Sequence, residues 1–313
     1  MRISSSLFEL FRRHSSSALV GRYPRILVMP GVHACWRDAV QGREWGPRDF
    51  LLRQARRATG FLDCGANMGT FSLLFAAANR RARVIAVEPL PECCRYLRAA
   101  RRLNGLSRLE VWPAVLSDRS KRIPFHRPVV EFDEGGQIDG EGNATSTRPT
   151  EVRAYTLNDL LARYGRDDRV VVKIDIEGHE ATALRTTPEK ENAAKVLAVC
   201  VETHLALYSR PWEDFMGWFS QLEGWFEADW WICAPGGIVP PSRRLDRRLW
   251  RYVRRLFHKE DLVRIDRRAL RHGVDSGAIG EFHLLGVAKK RKVVRVASIP
   301  VRSPVESPLH VAR

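Results

Sequence analysis

The chain has 313 residues, with 52 lysines and arginines against 36 aspartates and glutamates, which gives a formal net charge of +16. Its hydrophobic fraction of 44% is ordinary for a globular protein, and its length allows one or two domains. No stretch is apolar for long enough to cross a bilayer as a helix. The composition therefore excludes a protein built on membrane-spanning helices.

The cysteines and the first residues indicate the compartment. The chain has six cysteines, at positions 35, 64, 93, 94, 200 and 233. No two of them have the spacing C-x-x-C. Cys64 and Cys200 fall in apolar runs that predict buried strands, so we interpret the thiols as small core hydrophobes rather than as a disulfide frame or zinc site. Residues 1–20 are rich in serine and arginine and lack the apolar core of a signal peptide. We therefore expect a cytoplasmic protein.

The most informative stretch is Asp63-Cys64-Gly65-Ala66-Asn67-Met68-Gly69, which lies between a short apolar run and an apolar helical run. This context predicts a strand, a tight turn and a helix, where a doubly wound α/β sheet meets the polar part of an adenosine cofactor. Gly65 and Gly69 allow the backbone to turn sharply and to approach a ligand closely. The carboxylate of Asp63 would repel a pyrophosphate and attract an amino group. The turn therefore favours S-adenosylmethionine, through its α-amine, over a dinucleotide.

A second acid follows the next predicted strand, because the apolar run after Arg83 leads to Glu88. An acid at this position accepts hydrogen bonds from both ribose hydroxyls, a device that NAD sites share. The turn discriminates, since Ala66 and Asn67 do not fit the dinucleotide fingerprint G-x-G-x-x-G. The alternative interpretation is that Asp63 merely caps the helix and that Glu88 is a solvated strand end.

Strands and helices alternate through the centre of the chain, which predicts a parallel sheet. We predict an α/β, doubly wound, mostly parallel sheet in a domain over residues 59–288, with strand three at Leu109–Val115. Residues 1–58 are predicted as an N-terminal cap or arm. Residues 289–313 are basic and contain proline and serine, which predicts a loose basic tail.

Two segments interrupt this alternation. In residues 116–155, Ile123–Phe125 and Val152–Tyr155 predict a hairpin, and the acidic, glycine-rich stretch between them is either a lid over the active site, which we favour, or a disordered surface loop. Residues 241–280 are predicted as a basic insertion, since 241–272 carries twelve lysines and arginines and four acids. Its basic face is either a solvated surface or a contact for an anionic surface such as phosphate, a lipid head group or an acidic sugar polymer.

A second group of polar residues lies at the ends of the later predicted strands. Asp175 ends the apolar run from Val170, Glu177 follows it, and Glu202 and His204 end the next predicted strand. Because parallel strands point their carboxyl ends into one crevice, we expect these four side chains to lie close together. An alcohol must lose a proton when it is methylated, and these are the available catalytic bases. They could also hold a divalent cation that acidifies the hydroxyl, and the sequence leaves this metal undecided.

Structural roles are the alternative for this cluster. Asp175 would then order the cofactor, Glu177 would cap the following helix, and His179 would lie on the surface of that helix. We favour the functional role for the two acids and the structural role for His179. Lys173 is expected to pair with a neighbouring acid inside the strand.

In chain order these motifs resemble the FkbM family of S-adenosylmethionine-dependent methyltransferases, over about residues 59–205. The matching residues are Asp63-x-Gly65-Ala66-Asn67-x-Gly69, Glu88-Pro89-x-Pro91, Asn104-Gly105, Thr156-Leu157-x-Asp159-Leu160 and Lys173-Ile174-Asp175-x-Glu177-Gly178-x-Glu180. The resemblance implies a class I methyltransferase (Rossmann-like) fold, a mostly parallel seven-stranded sheet with the last strand antiparallel. It also implies O-methylation, commonly of sugars, glycans, glycolipids or polyketide-type products.

The resemblance also implies site residues. Those carried over for the cofactor are Asp63, Gly65, Ala66, Asn67, Met68, Gly69, Glu88, Pro89, Ala114 and Val115. The turn would hold the methionine part, Glu88 the ribose, and the pair 114–115 the adenine, while Asp175 and Glu177 would face the methyl group. Asn158 and Arg185 depart from the family pattern, but neither change removes a proposed ligand group.

We therefore expect an S-adenosylmethionine-dependent O-methyltransferase that acts on a small-molecule, glycan or glycolipid acceptor, in the cytoplasm or peripheral to the inner membrane face. One alternative is a nucleic-acid methyltransferase, but no N-P-P-Y-like motif or aromatic base-stacking cluster lies near Asp175. Another is a non-catalytic basic protein that binds membrane or glycan on the same fold. The acceptor, the choice between an oxygen and a nitrogen nucleophile, and the oligomeric state are left open.

Overall fold

A computed structural model describes residues 16–18, 26–28, 45–126, 137–138, 149–233, 263–277 and 279–289. The strands are β1 (Ser16–Ala18), β2 (Ile26–Val28), β3 (Gly60–Cys64), β4 (Arg83–Val87), β5 (Leu109–Trp112), β6 (Ala114–Leu116), β7 (Arg122–His126), β8 (Gln137–Ile138), β9 (Thr150–Tyr155), β10 (Val170–Ile174), β11 (Val196–His204), β12 (Ala228–Cys233), β13 (Val263–Arg264) and β14 (Glu281–Ala288). The helices are α1 (Trp45–Ala55), α2 (Thr70–Ala78), α3 (Pro91–Leu103), α4 (Leu157–Leu161), α5 (Glu180–Ala183), α6 (Lys190–Ala193), α7 (Pro211–Trp225) and α8 (Arg267–Asp275). A 3-10 turn at Leu205–Leu207 follows β11.

The central sheet has the strand order β13-β12-β14-β11-β10-β3-β4-β5. Strands β5, β4, β3, β10 and β11 are parallel to one another, and β14 is antiparallel to both of its neighbours, β11 and β12. This confirms the doubly wound sheet whose last long strand is antiparallel. The two-residue strand β13 extends its edge beyond β12.

Both faces of the sheet are covered, which explains why β3 and β10 are continuously apolar apart from Asp63 and Lys173. Successive strand residues point to opposite faces, so Phe61 and Leu62 enter different hydrophobic clusters. Helices α1, α2 and α3 pack on one face, where Phe61 stacks on Phe75 with 4.2 Å between the ring centroids. Helices α4 and α7 cover the other. The sheet is therefore rigidly held and positions the carboxyl ends of its strands.

The prediction of a single strand three over Leu109–Val115 is wrong. Strand β5 ends at Trp112, because Pro113 has no N–H to continue the ladder. The chain resumes as β6, which belongs to a second sheet with the order β6-β9-β7-β8. In this sheet β7 and β9 pair in antiparallel register, with Phe125 opposite Thr150. Residues 127–136 and 139–148 lie outside the described residues, so the lid stays a prediction.

Local signals place the other elements. Thr156 caps α4, since its Oγ1 accepts a hydrogen bond of 3.1 Å from the backbone N–H of Asp159. Five of the six cysteines are buried and form no disulfide, and Cys35 is outside the described part of the chain. Within the described ranges, no helix is both long and apolar enough to cross a membrane.

Much of the predicted basic insertion, residues 241–262, lies outside the described residues, as do 290–313 of the predicted tail and 1–15, 19–25 and 29–44 of the predicted cap. The described end of the insertion forms β13 and α8. There Arg267 forms an ion pair with Glu223, and the guanidinium of Arg271 lies 5.8 Å from the ring centre of Trp212. These two arginines therefore attach α8 to α7.

Candidate active site

The turn after β3 packs directly against the end of β10. Gly65, Asn67 and Gly69 have positive φ angles of 74°, 48° and 79°. A Cβ atom on Gly65 would lie 1.7 Å from the backbone oxygen of Asp175, so only glycine fits there. The N–H of Asp175 donates to the carbonyl of Cys64 over 3.0 Å. The turn and the first catalytic candidate are therefore fixed to one another through the backbone.

Glu88 lies beneath the turn and is 4% exposed, so its interpretation as a solvated strand end is wrong. Its Oε2 accepts a hydrogen bond of 2.7 Å from the N–H of Asn67, and its Oε1 accepts one of 2.8 Å from the N–H of Leu90. Burial raises the pKa of Glu88 to about 7, although both hydrogen bonds oppose the shift. The carboxylate thus holds the turn and the start of α3, and its contact with a ribose stays a prediction.

Asp63 is placed differently from the expectation. Its carboxylate is fully buried, Ser72 Oγ donates to Oδ2 over 2.6 Å, and the Nζ of Lys173 lies 4.0 Å from Oδ1. Burial raises the pKa of Asp63, against the attraction of Lys173. Direct contact between this carboxylate and a ligand amine is not supported, because no surface of Asp63 faces the crevice. The geometry instead gives Asp63 the role of joining α2 to β10 under the turn.

The remaining cofactor candidates follow β3, β4 and β5 in the chain. Ala66 and Met68 have buried side chains, which leaves their backbone to meet a ligand. Ala114 and Val115 are buried in β6, and Pro89 lies at a cleft of about 260 Å³. Other residues that line this cleft are Pro91, Pro113, Arg122, Phe125 and Val152. Contact of Ala114 and Val115 with adenine stays a prediction.

Lys173 is buried in β10, and it pairs with two acids where the sequence predicted one. Its Nζ donates to Asp175 Oδ2 over 2.7 Å, lies 4.0 Å from Asp63 Oδ1, and lies 4.9 Å from the ring centre of Phe71. Burial alone would lower the pKa of Lys173, but attraction by Asp175, Asp63 and Glu202 raises it. The ammonium therefore stays charged and compensates the acids at the strand ends.

Three of the four catalytic candidates converge. His204 Nε2 lies 3.8 Å from Asp175 Oδ1 and 3.6 Å from Glu177 Oε2, and these side chains are 12%, 21% and 27% exposed. Burial, together with repulsion by Glu202, raises the pKa of Asp175 to about 7. Glu177 has a φ of 53° and does not cap α5, whose N-cap residue is His179. The expectation of a polar cluster at the crevice therefore agrees with the geometry for Asp175, Glu177 and His204.

Glu202 lies beside this cluster but is engaged elsewhere. Its Oε2 is 3.1 Å from His283 Nε2, across the β11–β14 ladder. Burial would raise the pKa of Glu202, but attraction to His283, Lys173 and His204 holds it well below its usual range. Burial and a hydrogen bond with Glu202 raise the pKa of the neighbouring Glu281. Glu202 thus acts on Asp175 through its charge.

Glu180 received no role in the sequence analysis, although it ends the K-I-D-x-E-G-x-E motif. It is fully buried, and its Oε1 accepts hydrogen bonds from the N–H groups of Ile176 and Gly178, at 3.1 and 3.4 Å. The same oxygen lies 3.2 Å from His204 Nδ1, and Tyr208 donates to Oε2 over 3.0 Å. Burial would lower the pKa of His204, but Glu180 and the two other acids raise it to about 10. Glu180 therefore orients the imidazole.

His179 is not the surface residue that the sequence predicted. It is 6% exposed, and its Nε2 lies 3.1 Å from the Oγ of Ser117, the residue after β6. The second sheet is therefore attached to the segment that carries the site. The helix begins at Glu180, so His179 belongs to the turn before it, and its side chain is buried.

A model of the methyltransferase FkbM domain matches residues 63–226, just over half of the 313-residue chain. The chain belongs to the FkbM methyltransferase family. Membership in this family of S-adenosylmethionine-dependent methyltransferases argues against the non-catalytic alternative. The matched region contains the turn, both candidate acids of β10 and the end of β11.

Individual relatives of this FkbM methyltransferase are distant. The chain is 25% identical over 135 residues to the 2-O-methyltransferase NoeI of Sinorhizobium fredii (strain NBRC 101917 / NGR234), and this covers 39% of the chain and 55% of NoeI. It overlaps an O-methyltransferase from Bacillus cereus with a TM-score of 0.40, at 10% identity over 77% of this chain and 80% of that one. The chain also overlaps StiE O-MT residues 942-1257 with a TM-score of 0.40, at 10% identity over 85% of this chain and 84% of that one. The family assignment does not depend on these two overlaps.

Proposed function

We propose that this FkbM methyltransferase transfers a methyl group to a hydroxyl oxygen of a sugar-containing acceptor, such as a glycan or glycolipid. The observation that carries the proposal is the convergence of Asp175, Glu177 and His204 beside the glycine turn. The name of NoeI, a 2-O-methyltransferase, supports oxygen as the nucleophile. The match covers only 55% of NoeI, so the name of NoeI supports the type of atom that is methylated and no particular acceptor.

The crevice above the turn is the proposed cofactor site. S-adenosylmethionine, when bound, supplies an electrophilic methyl group on a sulfonium. The backbone of Gly65 to Gly69 would receive the methionine part, Glu88 and Pro89 would lie by the ribose, and Ala114 and Val115 would lie by the adenine. This assignment is supported by the close packing of the turn on the end of β10, where a Cβ atom on Gly65 would lie 1.7 Å from the backbone oxygen of Asp175, and by the position of Glu88 directly under Asn67.

The acid cluster is proposed to receive the acceptor proton. During transfer, the acceptor oxygen forms a bond to the methyl carbon while the carbon–sulfur bond breaks, and the hydroxyl proton passes to Asp175 or Glu177. A base works best when its pKa lies near the working pH, which burial and Glu202 provide for Asp175. Lys173 and His204 compensate the charge of the two acids, and Glu180 orients His204 from its other ring nitrogen.

A direct test is methyl transfer from labelled S-adenosylmethionine to a panel of sugars, oligosaccharides and glycolipids, with the product position read by mass spectrometry and NMR. We expect a methyl ether on a sugar. Glu177→Gln is expected to lower the rate by about 10²-fold or more, while Asp118→Asn, an acid pairing with Arg119 elsewhere on the chain, leaves it unchanged. Methylation of nitrogen, or of nucleic acid in the same panel, would contradict the proposal.

Cofactor affinity is expected to depend on pH through Glu88. The ionised carboxylate accepts both N–H groups, and protonation replaces one acceptor by a donor and loosens the turn. The affinity for S-adenosylhomocysteine should therefore rise with pH up to about 7 and level off above it, approaching a tenfold change per pH unit below. Titration calorimetry at a series of pH values measures this.

Glu88→Gln is expected to bind more weakly and to remove most of the pH dependence, whereas the exposed Glu189→Gln should keep the profile of the unmodified chain. An unchanged profile in Glu88→Gln would show that another group titrates.

A cytoplasmic location with contact to an anionic membrane or glycan surface is a further part of the proposal. It rests on the charge of residues 241–272, of which the described arginines 267 and 271 are engaged with α7. Co-sedimentation with vesicles of anionic lipid, against neutral vesicles, tests it, and equal binding to both would contradict it.

A further inference from the structure

Three side chains from two neighbouring strand ends present metal-binding atoms to one point. One atom each from Asp175, Glu177 and His204 lies within 4.8 Å of the others. Asp175 follows β10, Glu177 lies two residues further in the turn, and His204 ends β11. Metal–ligand bonds of about 2.1 Å place neighbouring ligand atoms roughly 3 Å apart, so small side-chain movements would close the site around an ion.

Glu180 sets the orientation of the His204 ring. Its Nδ1 lies 3.2 Å from Glu180 Oε1, so its Nε2 faces Asp175 and Glu177. Glu180 is itself held by two backbone N–H groups and by the hydroxyl of Tyr208. Metal-bound histidines usually have such a support: a carboxylate binds one ring nitrogen, and the other ring nitrogen then faces the metal.

The charges around this point favour a cation. Asp175, Glu177 and Glu180 surround the imidazole, and Lys173 reaches the cluster only at Asp175 Oδ2, which leaves Oδ1 toward His204. The negative charge on this side of Nε2 favours a positive occupant between the imidazole and the two facing carboxylates. A proton on Nε2 is one solution, and a divalent ion that displaces this proton is the other.

We propose that Asp175, Glu177 and His204 bind one divalent metal ion; the two carboxylates suit Mn²⁺, which is also the ion used in the test. The site deepens the proposed function, because an ion at this point would lower the pKa of an acceptor hydroxyl and orient it. Binding itself is measured without any acceptor.

The test is calorimetry and electron paramagnetic resonance of Mn²⁺ with the full chain after removal of metals by a chelator. We expect one saturable site. Glu177→Gln and His204→Gln should each weaken binding by about tenfold or more, and Glu180→Gln by about 10–100-fold through loss of the histidine support. Asp118→Asn is the matched control, since Asp118 is 21% exposed, like Asp175, and lies outside the cluster.

Absence of saturable Mn²⁺ binding in a folded protein, or equal binding by all variants, would overturn the proposal. Titration of the same samples with S-adenosylhomocysteine separates the two conclusions. If the homocysteine product binds and Mn²⁺ does not, the methyltransferase proposal stands and the metal site is wrong. If Mn²⁺ binds at this cluster and the homocysteine product does not, the metal site stands and the cofactor assignment fails.

Discussion

Lys173→Met is expected to lower the free energy of unfolding by about 3–5 kcal/mol. The ammonium is buried between Asp63 Oδ1, at 4.0 Å, and Asp175 Oδ2, at 2.7 Å. Methionine retains most of the apolar contact with Phe71, so the loss comes from the carboxylates: Asp63 loses its counter-charge, and Asp175 keeps only His204. Urea unfolding followed by circular dichroism measures the difference.

Lys195→Met is the matched control, because Lys195 is also buried but bonds to neutral oxygens of Leu161, Tyr164 and Asn192. We expect it to cost less, about 1–3 kcal/mol. The double variant Asp63→Asn/Lys173→Met should recover part of the loss. Equal effects of Lys173→Met and Lys195→Met would contradict the view that Lys173 compensates the buried acids.

Gly65→Ala is expected to weaken S-adenosylhomocysteine binding by about 100-fold or more. The new Cβ atom would lie 1.7 Å from the backbone oxygen of Asp175, at a φ of 74° that alanine disfavours. Either the turn or the end of β10 must move, and a displacement of about 1 Å at a site costs on the order of 10²-fold. Calorimetry measures the affinity, and thermal unfolding shows whether the variant remains folded.

Gly105→Ala separates the backbone effect from the steric one. Gly105 also has a positive φ, of 61°, but a Cβ atom there meets nothing within 4 Å. We expect it to lose some stability and to keep its affinity for the homocysteine product. If both variants bind equally well, the turn is not the cofactor site.

Sequence patterns were sufficient where local chemistry decides the structure. The glycine turn and the acids that follow β4 and β10 depend on residues a few positions apart, and the structure has them where the sequence predicted them. The resemblance of the motifs in chain order also predicted the family. These features need no knowledge of what packs against them.

Features that depend on packing were not predictable in this way. Asp63 was expected to face the ligand, yet Ser72 and Lys173 hold it inside. Glu180 is three residues from Glu177 in the chain, and only the approach of His204 and Tyr208 from the end of β11 shows that it orients the histidine. The predicted strand over Leu109–Val115 was too long because the apolar pattern continues across Pro113. The chain enters another sheet at that point.

The most direct test of the account is calorimetric titration of the full chain with S-adenosylhomocysteine, with NAD as the comparison ligand. We expect saturable, one-site binding of the homocysteine product and none of NAD. Absence of binding by S-adenosylhomocysteine in a protein shown to be folded, or equal binding of NAD, would contradict the assignment of the glycine turn as the methyl-donor site.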